Sequence, residues 1–159
     1  MTIQIACVGK LKDRFYAEAA AEYAKRLSRF CKLTVTEVGD ERIPDNATPG
    51  KERLVREREG ERLLSKIAPS EHVIALCVDG AAYDSPAFAA HVQGLLDTGK
   101  SSLTFVIGGS IGLSDAVLAR SNERISLSKM TLPHRLCRVF LLEQLYRACK
   151  INAHEAYHK

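Results

Sequence analysis

Short apolar runs alternate with longer, mixed stretches of helical spacing along the whole chain. Residues 2–8 read as a short buried strand closed by Gly9. Residues 13 to about 29 read as a helix rich in Ala and Glu, and 33–38 as an alternating strand. Residues 39–49 collect Gly, Pro, Asp and Asn and read as a loop. Thr48-Pro49 then has the pattern of an N-cap followed by proline in the first turn, opening a charged helix to about Lys66. Residues 72–78 are almost continuously apolar, as fully buried parallel strands are, and end in Asp79-Gly80. Ser85-Pro86 opens a helix to about Asp97. Residues 103–107 form another apolar strand, Ser114 caps a short helix, and 124–127 form a last short strand. Pro133 opens a final helix to about Ile151. Strands alternating with helices predict one α/β domain over residues 1–159, with a mostly parallel sheet flanked by helices.

The final helix carries apolar residues around almost its whole circumference: Leu136, Val139, Phe140, Leu141, Leu142, Leu145, Tyr146, Ala148 and Ile151. A helix apolar all round is buried on more than one side, and few later residues remain to cover it. A homodimer built around this helix is the expectation.

Charge adds a second asymmetry. The net formal charge is only +4, yet residues 124–159 hold seven basic and two acidic side chains, so all the excess lies at the C-terminal end. That distribution suits a polyanionic partner; a solvated basic helix face explains it equally well. Five cysteines without a C-x-x-C spacing argue against a zinc or disulfide framework, and Cys7, Cys77, Cys137 and Cys149 read as small core hydrophobes. No apolar run approaches the ~18 residues of a membrane span and no signal-peptide pattern opens the chain, so a cytoplasmic protein without membrane partners is expected.

Gly94-Leu-Leu-Asp-Thr-Gly99-Lys100-Ser101 fits the phosphate-loop pattern G-x-x-x-x-G-K-[ST] letter for letter. Its context is wrong. A phosphate loop follows a strand and opens a helix, whereas this segment closes a helix and precedes a strand; Gly99 reads as a helix-ending glycine. Gly108-Gly109-Ser-Ile-Gly112 has the right context, at the carboxyl end of an apolar strand, where open α/β sheets bind ligands. Between the last strand and helix, Leu127-Ser-Lys-Met-Thr-Leu-Pro133-His134 offers hydroxyls and backbone amides. The chain ends Tyr157-His158-Lys159, an aromatic, an imidazole and a cation that together could stack on and polarise a base.

These segments resemble the RlmH family of SPOUT-class methyltransferases. The resemblance rests on Ile107-Gly-Gly-x-x-Gly-Leu-Ser114, Leu127-Ser-x-Met-Thr-Leu-Pro-His134, Arg138-x-x-Leu-x-Glu-Gln-x-Tyr-Arg-Ala148 and the Tyr-His-Lys ending, and it spans the whole chain. It implies a SPOUT fold with a trefoil knot near the C-terminus, S-adenosylmethionine as methyl donor, a homodimer, and N3 of a pseudouridine in 23S ribosomal RNA as acceptor, free or within the ribosome. The donor site it implies is Leu76, Gly108 and the loop Leu127, Ser128, Lys129, Met130, Thr131 and Leu132. Methyl transfer from a sulfonium is an in-line displacement that needs no metal. His158 or Tyr157 is expected to take the imide proton, with His134 a weaker candidate. Arg135, Arg138, Arg147, Lys150 and Lys159 are candidates for phosphate contacts, Arg138 and Arg147 equally for the dimer interface. The family usually has glycine where this chain has His154 and often proline where it has Ala156. Two other readings are a methyltransferase for another RNA such as tRNA, whose donor loops would look the same, and a non-catalytic RNA- or ribosome-binding module, whose signature would be a damaged glycine loop, whereas Gly108, Gly109 and Gly112 are intact.

Overall fold

In the computed structural model, which describes residues 1–159, five parallel strands form one sheet. The elements are β1 (Thr2–Val8), α1 (Arg14–Leu27), β2 (Lys32–Val38), α2 (Pro49–Leu64), β3 (His72–Ala82), α3 (Ser85–Asp97), β4 (Ser102–Ile107), α4 (Asp115–Arg120), β5 (Glu123–Ser126) and α5 (His134–Asn152). The sheet order is β2-β1-β4-β3-β5. Every strand expected from the apolar pattern is present, and the parallel α/β architecture agrees with the sequence reading.

The central strands β1 and β4 are largely buried on both faces, which is why they read as mostly apolar runs interrupted only by Gln4 and Thr104. On one face Ile3, Ile5, Leu103 and Phe105 meet Phe88 of α3 and Leu141, Leu142 and Leu145 of α5. On the other, Ala6, Val8 and Val106 meet Leu63 of α2 and Val117 of α4. Three helices open on side-chain caps: Thr48, Asp84 and Ser114 each accept a hydrogen bond from the backbone N–H three residues on.

β3 departs from the expectation. Val73, Ile74 and Ala75 are buried, but the register against β5 jumps between Leu76 and Ala81, so residues 77–80 bulge out and Val78 is 53% exposed. Gly80 is required there: a Cβ would lie 2.6–2.8 Å from the backbone of Arg124 and Ile125, so β5 passes closer than any side chain permits. An apolar letter code cannot distinguish a strand from a strand that bulges into a cavity wall.

No helix is long and apolar enough to cross a membrane.

Candidate active site at the carboxyl edge of the sheet

Parallel strands send all their following loops to the same edge. Three of those loops enclose a cavity of about 300 Å³. β3 and its bulge contribute Leu76, Cys77 and Val78; β4 and the glycine loop contribute Ile107 to Ser110, Gly112 and Leu113. β5 and the loop into α5 contribute Ser126 to Ser128, Met130 to Leu132, His134 and Cys137.

The glycine loop owes its shape to two positions. A Cβ on Gly108 would lie 2.7 Å from the carbonyl carbon and oxygen of Gly112, so the loop can close on itself only with glycine there. Gly112 holds φ +88°, a conformation that side chains disfavour. Beneath the loop lies Glu59 of α2, only 4% exposed. One carboxylate oxygen accepts the Glu41 N–H at 3.1 Å; the other has no partner and lies 3.1 Å from where a Gly109 Cβ would sit. Burial pushes the Glu59 carboxyl above the ordinary carboxylate range.

The loop before α5 is built by its serines. Ser126 donates to the Ser128 carbonyl at 2.9 Å, and the Ser128 hydroxyl accepts the Met130 N–H at 3.0 Å. Ser128 therefore shapes the loop as well as lining it. His134 begins α5 at the cavity wall. Burial, then the nearby Arg135 and Arg138 guanidiniums, hold its imidazole below the usual histidine range, so it is neutral near pH 7.

The structure gathers Leu76, Gly108, Leu127, Ser128, Met130, Thr131 and Leu132 around one space; Lys129 is exposed and is not part of the wall. Sequence reasoning missed Val78 and placed Cys77 and Cys137 in the core. Both thiols are half-buried and line the cavity, and burial pushes both up, away from the thiolate. His134, the weaker candidate on sequence grounds, lines the cavity, and its position directly after the loop is the signal that places it there.

The tail lies elsewhere. Tyr157 donates to Glu143 at 3.1 Å and packs its ring against Tyr146 and Arg147. Burial first, then the Glu143 carboxylate, pushes its phenol up to about 12, so it remains protonated at neutral pH. His158 meets Arg147 through Nδ1 at 3.2 Å. From His134 to Arg147 the helix rises about 20 Å, so one chain holds its tail far from its own cavity.

The basic residues of α5 are held in ion pairs. Arg138 is 4% exposed, bound to Glu37 at 2.8 Å and to the Gly9 carbonyl at 3.0 Å, so it ties α5 to β1 and β2 and cannot reach a phosphate. Arg135 pairs with Asp13, Arg147 with Glu143 and Lys150 with Glu155. Carboxylates from several parts of the chain offset the excess that the sequence concentrates at its end. Lys159 is exposed.

A family model described as "Predicted SPOUT methyltransferase" matches residues 1–158. The chain is a SPOUT-family methyltransferase. Relatives of this methyltransferase match over all 159 residues and over their own full lengths. Proteins named ribosomal RNA large subunit methyltransferase H are 52% identical in Listeria monocytogenes serotype 4b, 50% in Bacillus thuringiensis and 48% in Clostridium acetobutylicum. A crystal structure of a probable methyltransferase from Bordetella pertussis Tohama I superposes with a TM-score of 0.54 at 18% identity. It covers 92% of the methyltransferase chain and 95% of its own, and carries the likeness of fold alone.

Proposed function

We propose that this methyltransferase uses S-adenosylmethionine to methylate N3 of a pseudouridine in 23S ribosomal RNA, in the cytoplasm, as a homodimer of single-domain chains. One observation carries the reading: a glycine-closed cavity at the carboxyl edge of the sheet, in a chain about half identical, end to end, to ribosomal RNA large subunit methyltransferases.

The wall chemistry fits the donor. Leu76, Ile107, Leu127 and Leu132 offer apolar surface for a flat base, while Ser110, Ser126 and Thr131 offer hydroxyls for sugar and amino-acid groups. No carboxylate lines the cavity, and Gly108 lets backbone amides approach the ligand. S-adenosylmethionine supplies an electrophilic methyl group when bound. The chain's own part is to exclude water, align the acceptor nitrogen and receive its proton. His134 is the wall residue suited to that last task, as an imidazole held neutral by its surroundings.

Tyr157 and His158 can share this work only in a second copy. Since the tail folds back on the far half of α5, a two-fold dimer about α5 is the arrangement that brings it to a cavity. The outer face of α5 supports this, with Leu136 half-buried and Phe140 exposed next to the cavity loop.

Incubation with methyl-labelled S-adenosylmethionine and, separately, ribosomes, free ribosomal RNA and tRNA tests the proposal. Label is expected in large-subunit RNA at one pseudouridine. Label confined to tRNA would favour the other acceptor, and failure to bind the donor in calorimetry would favour a binding module.

A further inference from the structure

With the α5 cations paired, free positive charge lies elsewhere: Lys25, Lys32, Lys51, Lys66, Lys100 and Lys159 are exposed and unpaired at scattered positions, and four more cations follow the strands at the cavity edge. Lys10 and Lys12 follow β1, Arg42 follows β2 and Lys129 follows β5. All four are exposed, and none has a carboxylate partner. Because the strands are parallel, these loops leave the sheet at the edge where the cavity lies.

Contacts bind each loop to the cavity wall. In the β1–α1 loop, Asp13 holds Arg135, which follows His134 in sequence, and the Gly9 carbonyl holds Arg138. In the β2–α2 loop, the Glu41 N–H donates to Glu59, whose carboxylate underlies Gly109. Lys129 stands between two wall residues, Ser128 and Met130. The cations therefore stand on loops that brace the cavity from several sides. Asp40 and Asp45 are also exposed on the β2–α2 loop, so the rim is a set of discrete contacts rather than a uniform positive field.

We propose that Lys10, Lys12, Arg42 and Lys129 are the phosphate-contacting rim that docks an RNA strand across the cavity mouth. This rests on the RNA reading above and replaces the α5 arginines as its electrostatic footprint. A polyanion fits the rim because unpaired, exposed ammonium and guanidinium groups give up little on contact. Each phosphate they neutralise releases counterions.

The test removes equal charge from opposite edges. The rim variant is Lys10→Gln, Lys12→Gln, Arg42→Gln. The control is Lys32→Gln, Lys66→Gln, Lys100→Gln, whose side chains are exposed at the amino ends of β2, β3 and β4. Affinity for a short labelled single-stranded RNA is measured against salt, and affinity for S-adenosylmethionine by calorimetry. Each single-strand phosphate contact contributes about −0.7 to the slope of log affinity on log salt, so the rim variant is expected to flatten it by roughly 2 and the control by well under 1. Donor affinity is expected to be the same in both. Equal flattening in both variants, or none in the rim variant, overturns the rim while leaving the RNA reading standing. A wild-type protein that binds neither this RNA nor ribosomes overturns both.

Discussion

His154 holds φ +55° immediately after α5, where its N–H donates to the Ile151 carbonyl and the N–H of Glu155 to the Lys150 carbonyl. That pair of bonds defines a helix end whose first outside residue is left-handed, a position that favours glycine. Glycine at this position in the resembled family thus has a physical reason, and histidine here carries a strain cost. The substitution His154→Gly is expected to stabilise the chain by about 0.5–1 kcal/mol, the left-handed cost less the extra freedom glycine gives the unfolded chain. Thermal unfolding should move up by roughly 2–4 °C per kcal/mol. A lowered midpoint would mean that the imidazole makes a compensating contact. Glu59 carries a second residue-scale cost, dependent on pH. Its folded-state carboxyl is pushed up by burial while the unfolded one titrates normally, so between the two the folded chain binds more protons and stability falls as pH rises. Glu59→Gln keeps the acceptor for the Glu41 N–H and removes the charge. It is expected to stabilise by roughly 1–2 kcal/mol at pH 7. That gain should shrink towards zero below about pH 4, where an ordinary glutamate is already protonated. Urea unfolding at the two pH values checks this, and equal gains at both would refute it.

At the level of elements, legibility followed what local physics dictates. β1 is legible from its sequence because Ile3, Ile5, Ala6, Cys7 and Val8 are buried and Gly9 closes the run. The phosphate-loop match was rejected on context, and the structure gives the reason: Gly99 holds φ +84° and, with Lys100, donates back to Leu96 and Leu95, which terminates α3. The glycine loop and the loop into α5 were legible because backbone closure demands particular residues. The bulge in β3 was not, since it depends on β5, some 45 residues later, pressing its backbone against Gly80. The pairing of α5 was hidden for the same reason. Asp13 and Glu37 lie about a hundred residues from Arg135 and Arg138, so a local charge count could not see them.

At the level of the whole molecule, the separation of tail and cavity decides how activity must be organised. If Tyr157 and His158 act in catalysis, one chain holds them at the far end of a helix whose first residue lines the cavity, and only a second copy can bring tail to cavity. The stabilising contacts of the tail, Tyr157 to Glu143 and Glu155 to Arg29 and Lys150, argue that it does not swing free to reach its own site. Complementation tests this directly. One inactive variant, Leu132→Arg, places a charge in the cavity wall and keeps an intact tail. Another, His158→Ala, keeps the cavity and lacks the imidazole. After subunit exchange, half of the dimers are mixed, each with one intact cavity facing one intact tail. Mixing is therefore expected to restore about a quarter of wild-type methylation. Sites completed within a single chain would give no recovery at any mixing ratio. Full activity of His158→Ala on its own would remove the tail from catalysis and, with it, this reason to propose a dimer.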